Sequence, residues 1–167
     1  MGRGEADGDR VGALTLVDPA GFAPLTGRFY RWLILSGLAV LLPRRLRHRA
    51  ADRLVNGTLR EDALMTLGLA GRRFRRRLPT PPGYTDEQLR AVGVPVQVLL
   101  GARSSLHDSS AVAARLAEVV PSWRVEIVPG TGHALPIEAP ELVIDRILAF
   151  AAGPERPRAS APHTEAG

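Results

Sequence analysis

The 167-residue sequence contains neither cysteine nor lysine, and both absences limit its chemistry. Without cysteine there is no disulfide, no thiolate metal ligand and no cysteine nucleophile, so a site in this chain has to use oxygen and imidazole groups. All 22 basic residues are arginine, and the net charge is +5. That charge would suit an anionic partner, but arginines on solvated helices account for it equally well.

The sequence also lacks a long apolar run. Its longest apolar stretch, residues 32–42, is shorter than the ~20 residues that a membrane-spanning helix requires. The first ten residues contain no apolar export segment, and Ala6 stands where the myristoylation pattern needs Ser or Thr. We therefore expect a cytoplasmic protein, with a disordered start at residues 1–10 and a disordered Pro-rich tail at residues 153–167.

Three short apolar runs predict buried strands, and the segments between them predict helices. The strands are expected at residues 11–17, 94–100 and 124–128, where branched aliphatic residues dominate. Residues 24–78 are rich in Leu, Ala and Arg and predict two to four short helices. Further helices are predicted at residues 86–91, 110–120 and 140–151. This alternation is typical of an α/β protein with about three parallel strands.

The most distinctive segment is residues 130–140, Gly-Thr-Gly-His-Ala-Leu-Pro-Ile-Glu-Ala-Pro. Together with the strand-like residues 96–101 and the helical residues 113–116, it resembles the C-terminal half of the α/β-hydrolase fold. In that family a strand, a Gly-rich turn and the catalytic histidine follow one another in this order. The resemblance spans about residues 11–150.

The resemblance implies a division of the chain. Residues 11–23 and 79–152 would form a partial α/β-hydrolase core of about three parallel strands with flanking helices, and residues 24–78 would form a helical cap insertion. The family's Gly-x-Ser-x-Gly turn, which carries the serine nucleophile, does not occur in these 167 residues. The first strand has no polar residue except Thr15 and looks suited to be covered by a neighbour. We therefore expect the chain to be inactive alone and to lack an N-terminal half.

The resemblance places His133 at the catalytic histidine, although a loop histidine can also serve only to bond a carbonyl. The family usually carries its acid at the position of Ser104, which cannot hold a negative charge. Asp18 and Asp108 are the two substitutes, with Asp18 the first choice because some members of the fold place the acid after this strand. Asp18 can equally be a turn residue, and Asp108 can equally be a helix N-cap.

The function that the resemblance implies is that of an esterase-like serine hydrolase acting on a small hydrophobic ester. The side chains expected to line the cap are apolar: Phe22, Phe29, Trp32 and Leu35. No cofactor is expected, and no metal site, because His107 and Asp108 lack a third ligand at suitable spacing.

The alternative function is non-enzymatic. A pseudo-hydrolase fragment would act as an interaction module or bind an anionic surface, such as a membrane, through the five arginines in residues 72–77. Nucleic-acid binding is not expected, because the sequence offers no recognised motif and no aromatic platform.

Overall fold

The computed structural model describes residues 11–71 and 83–153. Most of the proposed disordered ends and most of the Pro-rich linker at residues 78–83 lie outside the described residues, as does the arginine run at residues 72–77.

Within the described residues the sheet has three parallel strands in the order β1-β2-β3, which confirms the predicted architecture. The strands are β1 (Leu14–Val17), β2 (Val96–Gly101) and β3 (Arg124–Val128). The first two begin two to three residues later than the sequence indicated. The reason is the ladder itself: Pro95 has no N–H to donate, and its carbonyl accepts the first bond from Leu14, at 2.9 Å.

Eight helical segments accompany the strands within the described residues. Four of them lie between β1 and the linker: α1 (Gly27–Ala39), α2 (Arg44–Leu54), a 3₁₀ helix (Gly57–Arg60) and α3 (Asp62–Gly71). The others are α4 (Asp86–Arg90), α5 (Ser109–Val119), α6 (Leu135–Glu138) and α7 (Pro140–Ala151). The single turn α6 was not predicted, because it lies between the strand expected at residues 124–128 and the helix expected at residues 140–151.

Local sequence explains where several helices start. Thr85 and Gln88 form a reciprocal capping box at α4, and the Asp108 carboxylate accepts from two amides at the start of α5. Pro43 immediately precedes α2 and Pro140 opens α7, positions where a missing N–H costs no helical bond. None of the helices described has the length and apolar character that a bilayer-spanning segment needs.

The core lies on both faces of the sheet, because alternate residues of the fully buried strand β2 point to opposite sides. On one face Val98 and Leu100 pack with Leu116 of α5. On the other face Leu99 packs with Leu135 and with Val143 of α7. A third, smaller cluster holds α1, α2 and the 3₁₀ helix together.

Phe22 belongs to the first of these clusters. Its ring lies 6.2 Å from that of Trp123, and its side chain is buried. The expectation that Phe22 lines a cap was therefore wrong, because the chain turns back onto the sheet directly after β1. Phe29, Trp32 and Leu35 do lie on α1.

Replacing Leu116 by Ala tests the larger core. Leu116 is 1% exposed, so the substitution should leave a cavity and lower the free energy of unfolding by about 2–5 kcal/mol. The control is Leu41→Ala, since Leu41 is 70% exposed and should change that value little. Urea denaturation followed by circular dichroism measures both, and equal effects of the two variants would contradict this description of the core.

Candidate active site

The candidate site lies at the carboxyl edge of the sheet, where the ends of all three strands meet. Asp18 follows β1 directly, Gly101 ends β2, and His133 lies in the loop after β3. Parallel strands bring their carboxyl ends to one edge, so residues 115 positions apart in sequence become neighbours.

Asp18 is held rigidly at this edge. Its amide donates to the Leu99 carbonyl at 2.7 Å, which extends the ladder by one residue. Its φ is 43°, in the left-handed region that Asp tolerates better than most residues. This backbone conformation directs the buried carboxylate across β2 instead of along the strand.

Three donors surround the Asp18 carboxylate. The Gly101 amide donates to Oδ1 at 2.9 Å, and the Ser104 hydroxyl donates to Oδ2 at 2.6 Å. His133 Nδ1 lies 2.7 Å from the same Oδ2. Since an ionised carboxylate only accepts, His133 donates from Nδ1, and in a neutral ring Nε2 then keeps the free lone pair.

The side chains of Asp18 and His133 differ in exposure to solvent. The Asp18 side chain is fully buried, whereas 41% of the His133 side chain is exposed. Burial would by itself raise the pKa of Asp18, but hydrogen bonds from His133, Ser104 and Gly101, with the nearby His107, outweigh it and hold that pKa below its usual value. Asp18 is therefore ionised at neutral pH and orients a histidine that faces outward.

The other predicted acid lies elsewhere. Asp108 Oδ1 accepts from the amides of Ser110 and Ala111, at 3.0 and 3.1 Å, and caps α5. The structure thus brings Asp18, and not Asp108, to His133. Ser104, at the family's usual acid position, supports Asp18 through its hydroxyl.

A second histidine, His107, lies behind the carboxylate. Its ring is buried, with Nε2 3.5 Å from Asp18 Oδ1, and within the described residues neither ring nitrogen has a hydrogen-bond partner. Burial lowers the pKa of His107 and outweighs the attraction of Asp18, so His107 is neutral at neutral pH. Sequence reasoning considered His107 only as a metal ligand, and nothing in the local pattern indicated that it would face Asp18.

Glu138 fixes the histidine loop from the other side. Its carboxylate accepts from the amides of Gly132, at 2.5 Å, and of Gly57, at 2.9 Å. It therefore joins the residue before His133 to the 3₁₀ helix. Glu138 lies within the distinctive segment 130–140, which was the available signal, but its partner Gly57 is 81 positions away.

The loops of the site pack too closely for larger residues. A Cβ on Gly101 would collide with the backbone of Gly132, and a Cβ on Gly132 would lie 2.5 Å from the Val55 carbonyl oxygen. Trp32 donates its indole N–H to the Leu54 carbonyl at 2.8 Å and meets the His133 ring edge to face, with the centroids 6.5 Å apart. The helical segment 27–71 thus reaches the outer face of His133.

No serine in the described part of the chain bonds His133. Ser36 accepts from Asn56, Ser104 donates to Asp18, and Ser109 donates to the Gly101 carbonyl. Among the same residues, no group of three His, Asp or Glu side chains is placed to hold a metal ion.

A parallel sheet with helices on both faces and an acid–histidine pair at its carboxyl edge defines a class of α/β proteins. The model of the alpha/beta hydrolase family matches residues 3–146, most of the chain. The chain therefore belongs to the alpha/beta hydrolase family.

Two proteins of Bacillus subtilis (strain 168) are similar in sequence. Carboxylesterase YbfK is 34% identical over 73 residues, which are 44% of this chain and 25% of that protein. Uncharacterized carboxylesterase nap is 34% identical over 70 residues, 42% of this chain and 23% of that protein. The matches thus cover about a quarter of each relative.

Solved structures show the same fold over a longer stretch. The crystal structure of carboxylesterase CesB (YbfK) from Bacillus subtilis superposes with a TM-score of 0.65 and 22% identity, covering 89% of this chain and 54% of that chain. Naproxen esterase from the same organism gives a TM-score of 0.62 and 24% identity, covering 85% and 52%. This chain therefore spans about half the length of these structures.

The ionised state of Asp18 should be visible in stability. Since its folded pKa is depressed, its stabilising contribution is present above the unfolded pKa of about 3.9 and is lost as the pH falls through the folded value. Asp18→Asn should therefore lower the free energy of unfolding near neutral pH by about 2 kcal/mol, with a difference that shrinks below about pH 4. Urea denaturation at several pH values measures it.

The control for this experiment is Asp108→Asn. Asn is as good an N-cap as Asp, so this variant should stay within about 0.5 kcal/mol of the parent at pH 7. A difference between Asp18→Asn and the parent that is the same at pH 3 and pH 7 would contradict the ionised, buried role of Asp18.

Glu138→Gln tests the link between the histidine loop and the 3₁₀ helix. An amide has one accepting oxygen where the carboxylate has two, so one backbone N–H is left without a partner. We expect a loss of about 1–2 kcal/mol in the free energy of unfolding and a shift of the His133 ring signals in NMR spectra. Glu141→Gln, in the first turn of α7, is the control and should leave the His133 signals in place.

Proposed function

We propose that this chain supplies the general base and the acid of an esterase-like serine hydrolase that acts on a hydrophobic ester. The observation that carries the proposal is the His133–Asp18 pair, in which a buried carboxylate binds Nδ1 at 2.7 Å and the His133 side chain is 41% exposed at the sheet edge. The carboxylesterase names of the two sequence relatives support the same class of reaction.

In this proposal His133 Nε2 takes the proton of a serine hydroxyl as that oxygen attacks the carbonyl carbon of the ester. The imidazolium that forms is stabilised by Asp18. The imidazolium then donates this proton to the departing alkoxide. The alcohol leaves, and the acyl group stays bound to the serine as an acyl-enzyme. His133 next removes a proton from water, and the hydroxide attacks the acyl carbon. The proton then passes to the serine oxygen as the carboxylic acid product departs.

The serine and the oxyanion hole are assigned to a segment outside these 167 residues. The sequence contains no Gly-x-Ser-x-Gly. The half-length match to the solved esterases and the position of β1 at the edge of the described sheet support a neighbouring segment on that side. We propose that the helical segment 27–71 is the cap, because Trp32 stands against His133. A cytoplasmic location remains part of the proposal.

The alternative is an interaction module without catalysis. The observation favouring it is the apolar outer surface of α1, where Ile34 and Leu38 are more than half exposed. Such a module would keep its function when His133 is replaced, which separates the two proposals.

A hydrolysis assay tests the enzymatic proposal. The chain alone should hydrolyse p-nitrophenyl butyrate no faster than buffer, because loss of a triad nucleophile typically costs about a millionfold in turnover. The chain joined to the half of carboxylesterase CesB (YbfK) that its superposition with this chain leaves uncovered should hydrolyse the ester. In that hybrid His133→Ala and Asp18→Asn should each lower kcat by at least about a thousandfold.

The control variant is Asp108→Asn in the same hybrid, which should keep its activity. His133-dependent turnover by the chain alone would contradict the assignment of the nucleophile to another segment. A folded hybrid whose activity does not depend on His133 would contradict the proposal as a whole.

A further inference from the structure

A depression of about 420 Å³ lies beside the candidate site, on the surface between the start of α1, the end of α2 and the loop after β2. Nine residues line it, and four of them are arginines: Arg28, Arg31, Arg53 and Arg103. Among the described residues that line it there is no aspartate or glutamate. We call it the arginine depression.

These arginines form no salt bridge within residues 11–71 and 83–153, although Arg103 also lines a neighbouring pocket with Asp52, Glu61 and Glu138. Five other arginines there form salt bridges with carboxylates: Arg44, Arg47, Arg60, Arg115 and Arg146. The four arginines of the depression form no such salt bridge. One of them, Arg28, donates a hydrogen bond to the Ser104 carbonyl. Guanidinium groups gathered around one concave surface without counter-charges favour an anion there.

The arginine depression adjoins the acid–histidine pair. Trp32 lines the depression and also meets the ring of His133, with 6.5 Å between the centroids. Arg28 reaches the carbonyl of Ser104, whose hydroxyl binds Asp18. A molecule held in the depression would therefore lie next to the exposed side of His133.

An apolar groove continues from the depression along the surface between α1 and α2, with a volume of about 470 Å³. Among the described residues that line it, five are leucines, Leu35, Leu38, Leu42, Leu46 and Leu54, and the charged ones are Arg49 and Arg53. The groove and the depression share Leu35, Arg53 and Leu54, so the two form one continuous surface. Four arginines in the depression and a groove lined mostly by leucine and alanine match a molecule with an anionic group and an apolar body.

We propose that the arginine depression binds the carboxylate of an amphiphilic ligand whose apolar chain lies in the α1–α2 groove. Arginine suits a carboxylate because its planar guanidinium donates two parallel hydrogen bonds to the two oxygens. The inference rests on the proposed function in one respect: the ligand is the substrate only if the chain takes part in ester hydrolysis. It narrows the substrate from a hydrophobic ester to an ester that also carries an anionic group.

Binding of octanoate to the whole chain tests this proposal without any catalytic step. The protein has two tryptophans, so Trp123→Phe leaves Trp32 as the reporter at the depression. Octanoate should change the Trp32 fluorescence saturably. Octanol, which lacks the charge, and acetate, which lacks the chain, should each bind at least about tenfold more weakly. Calorimetry with the unsubstituted chain gives the same comparison without altering the core.

Two paired variants separate specific recognition from general charge. Arg31→Gln with Arg53→Gln should weaken octanoate binding about tenfold or more, since each removes a charge-assisted bond. The control is Arg90→Gln with Arg124→Gln, which removes the same charge near the amino edge of the sheet and should leave the affinity within about twofold. Leu38→Asn, at a 58% exposed position in the groove, should weaken octanoate and leave acetate unchanged.

Equal affinity for octanol and octanoate, or an equal loss in the two arginine pairs, would overturn the carboxylate site. Absence of saturable octanoate binding by folded protein would overturn the inference entirely. These outcomes are independent of hydrolysis: a hybrid that is active on neutral esters without octanoate binding leaves the proposed function standing and rejects this inference.

Discussion

The structure of the candidate site depends on one buried carboxylate. Asp18 accepts from the amide that ends β2, from the Ser104 hydroxyl and from His133, so a single side chain joins three strand ends. A buried charge is tolerated only when its hydrogen bonds are satisfied, and here they also set the direction of the imidazole. The acid therefore stabilises the edge of the sheet and prepares the histidine through the same contacts.

The helical segment 27–71 is tied to this edge at several points. Glu138 accepts from one amide in the helical segment and one in the histidine loop. Trp32 packs against His133, and Arg28 donates to a carbonyl in the loop after β2. Because these contacts come from different helices, the segment has a defined position over the exposed imidazole. The arginine depression and the α1–α2 groove follow from that position, and they give the surface beside His133 a charged end and an apolar end.

Family membership and chemistry rest on different observations. The family follows from a model match over residues 3–146 and from a fold shared with solved esterases. Those structures are less than 25% identical to this chain, so they establish its fold and do not identify its substrate. The substrate class has to be inferred from the side chains of this chain itself. That inference is drawn from the arginines of the depression, which form no salt bridge within the described residues.

Local sequence was sufficient for the elements whose cause is local. Apolar runs marked the three strands, Asp108 was a candidate N-cap of α5 beside its possible role as the acid, and the glycine-flanked segment around His133 marked the histidine loop. The short helix α6 was missed because a single turn carries no periodicity. The core position of Phe22 was missed because an aromatic side chain can serve a core or a cap equally well.

The choice between Asp18 and Asp108 was made by the tertiary structure, since both lie after predicted strands and differ only in what the fold places next to them. The same holds for His107 behind the carboxylate, for Glu138 reaching Gly57, and for four arginines drawn from three segments of the chain. By itself the sequence determined the strands, most of the helices and the motif of the histidine loop, because those depend on neighbours within a few residues. The tertiary structure decided the acid and the surface around it, because these depend on contacts across 76 to 115 positions that only the parallel sheet brings together.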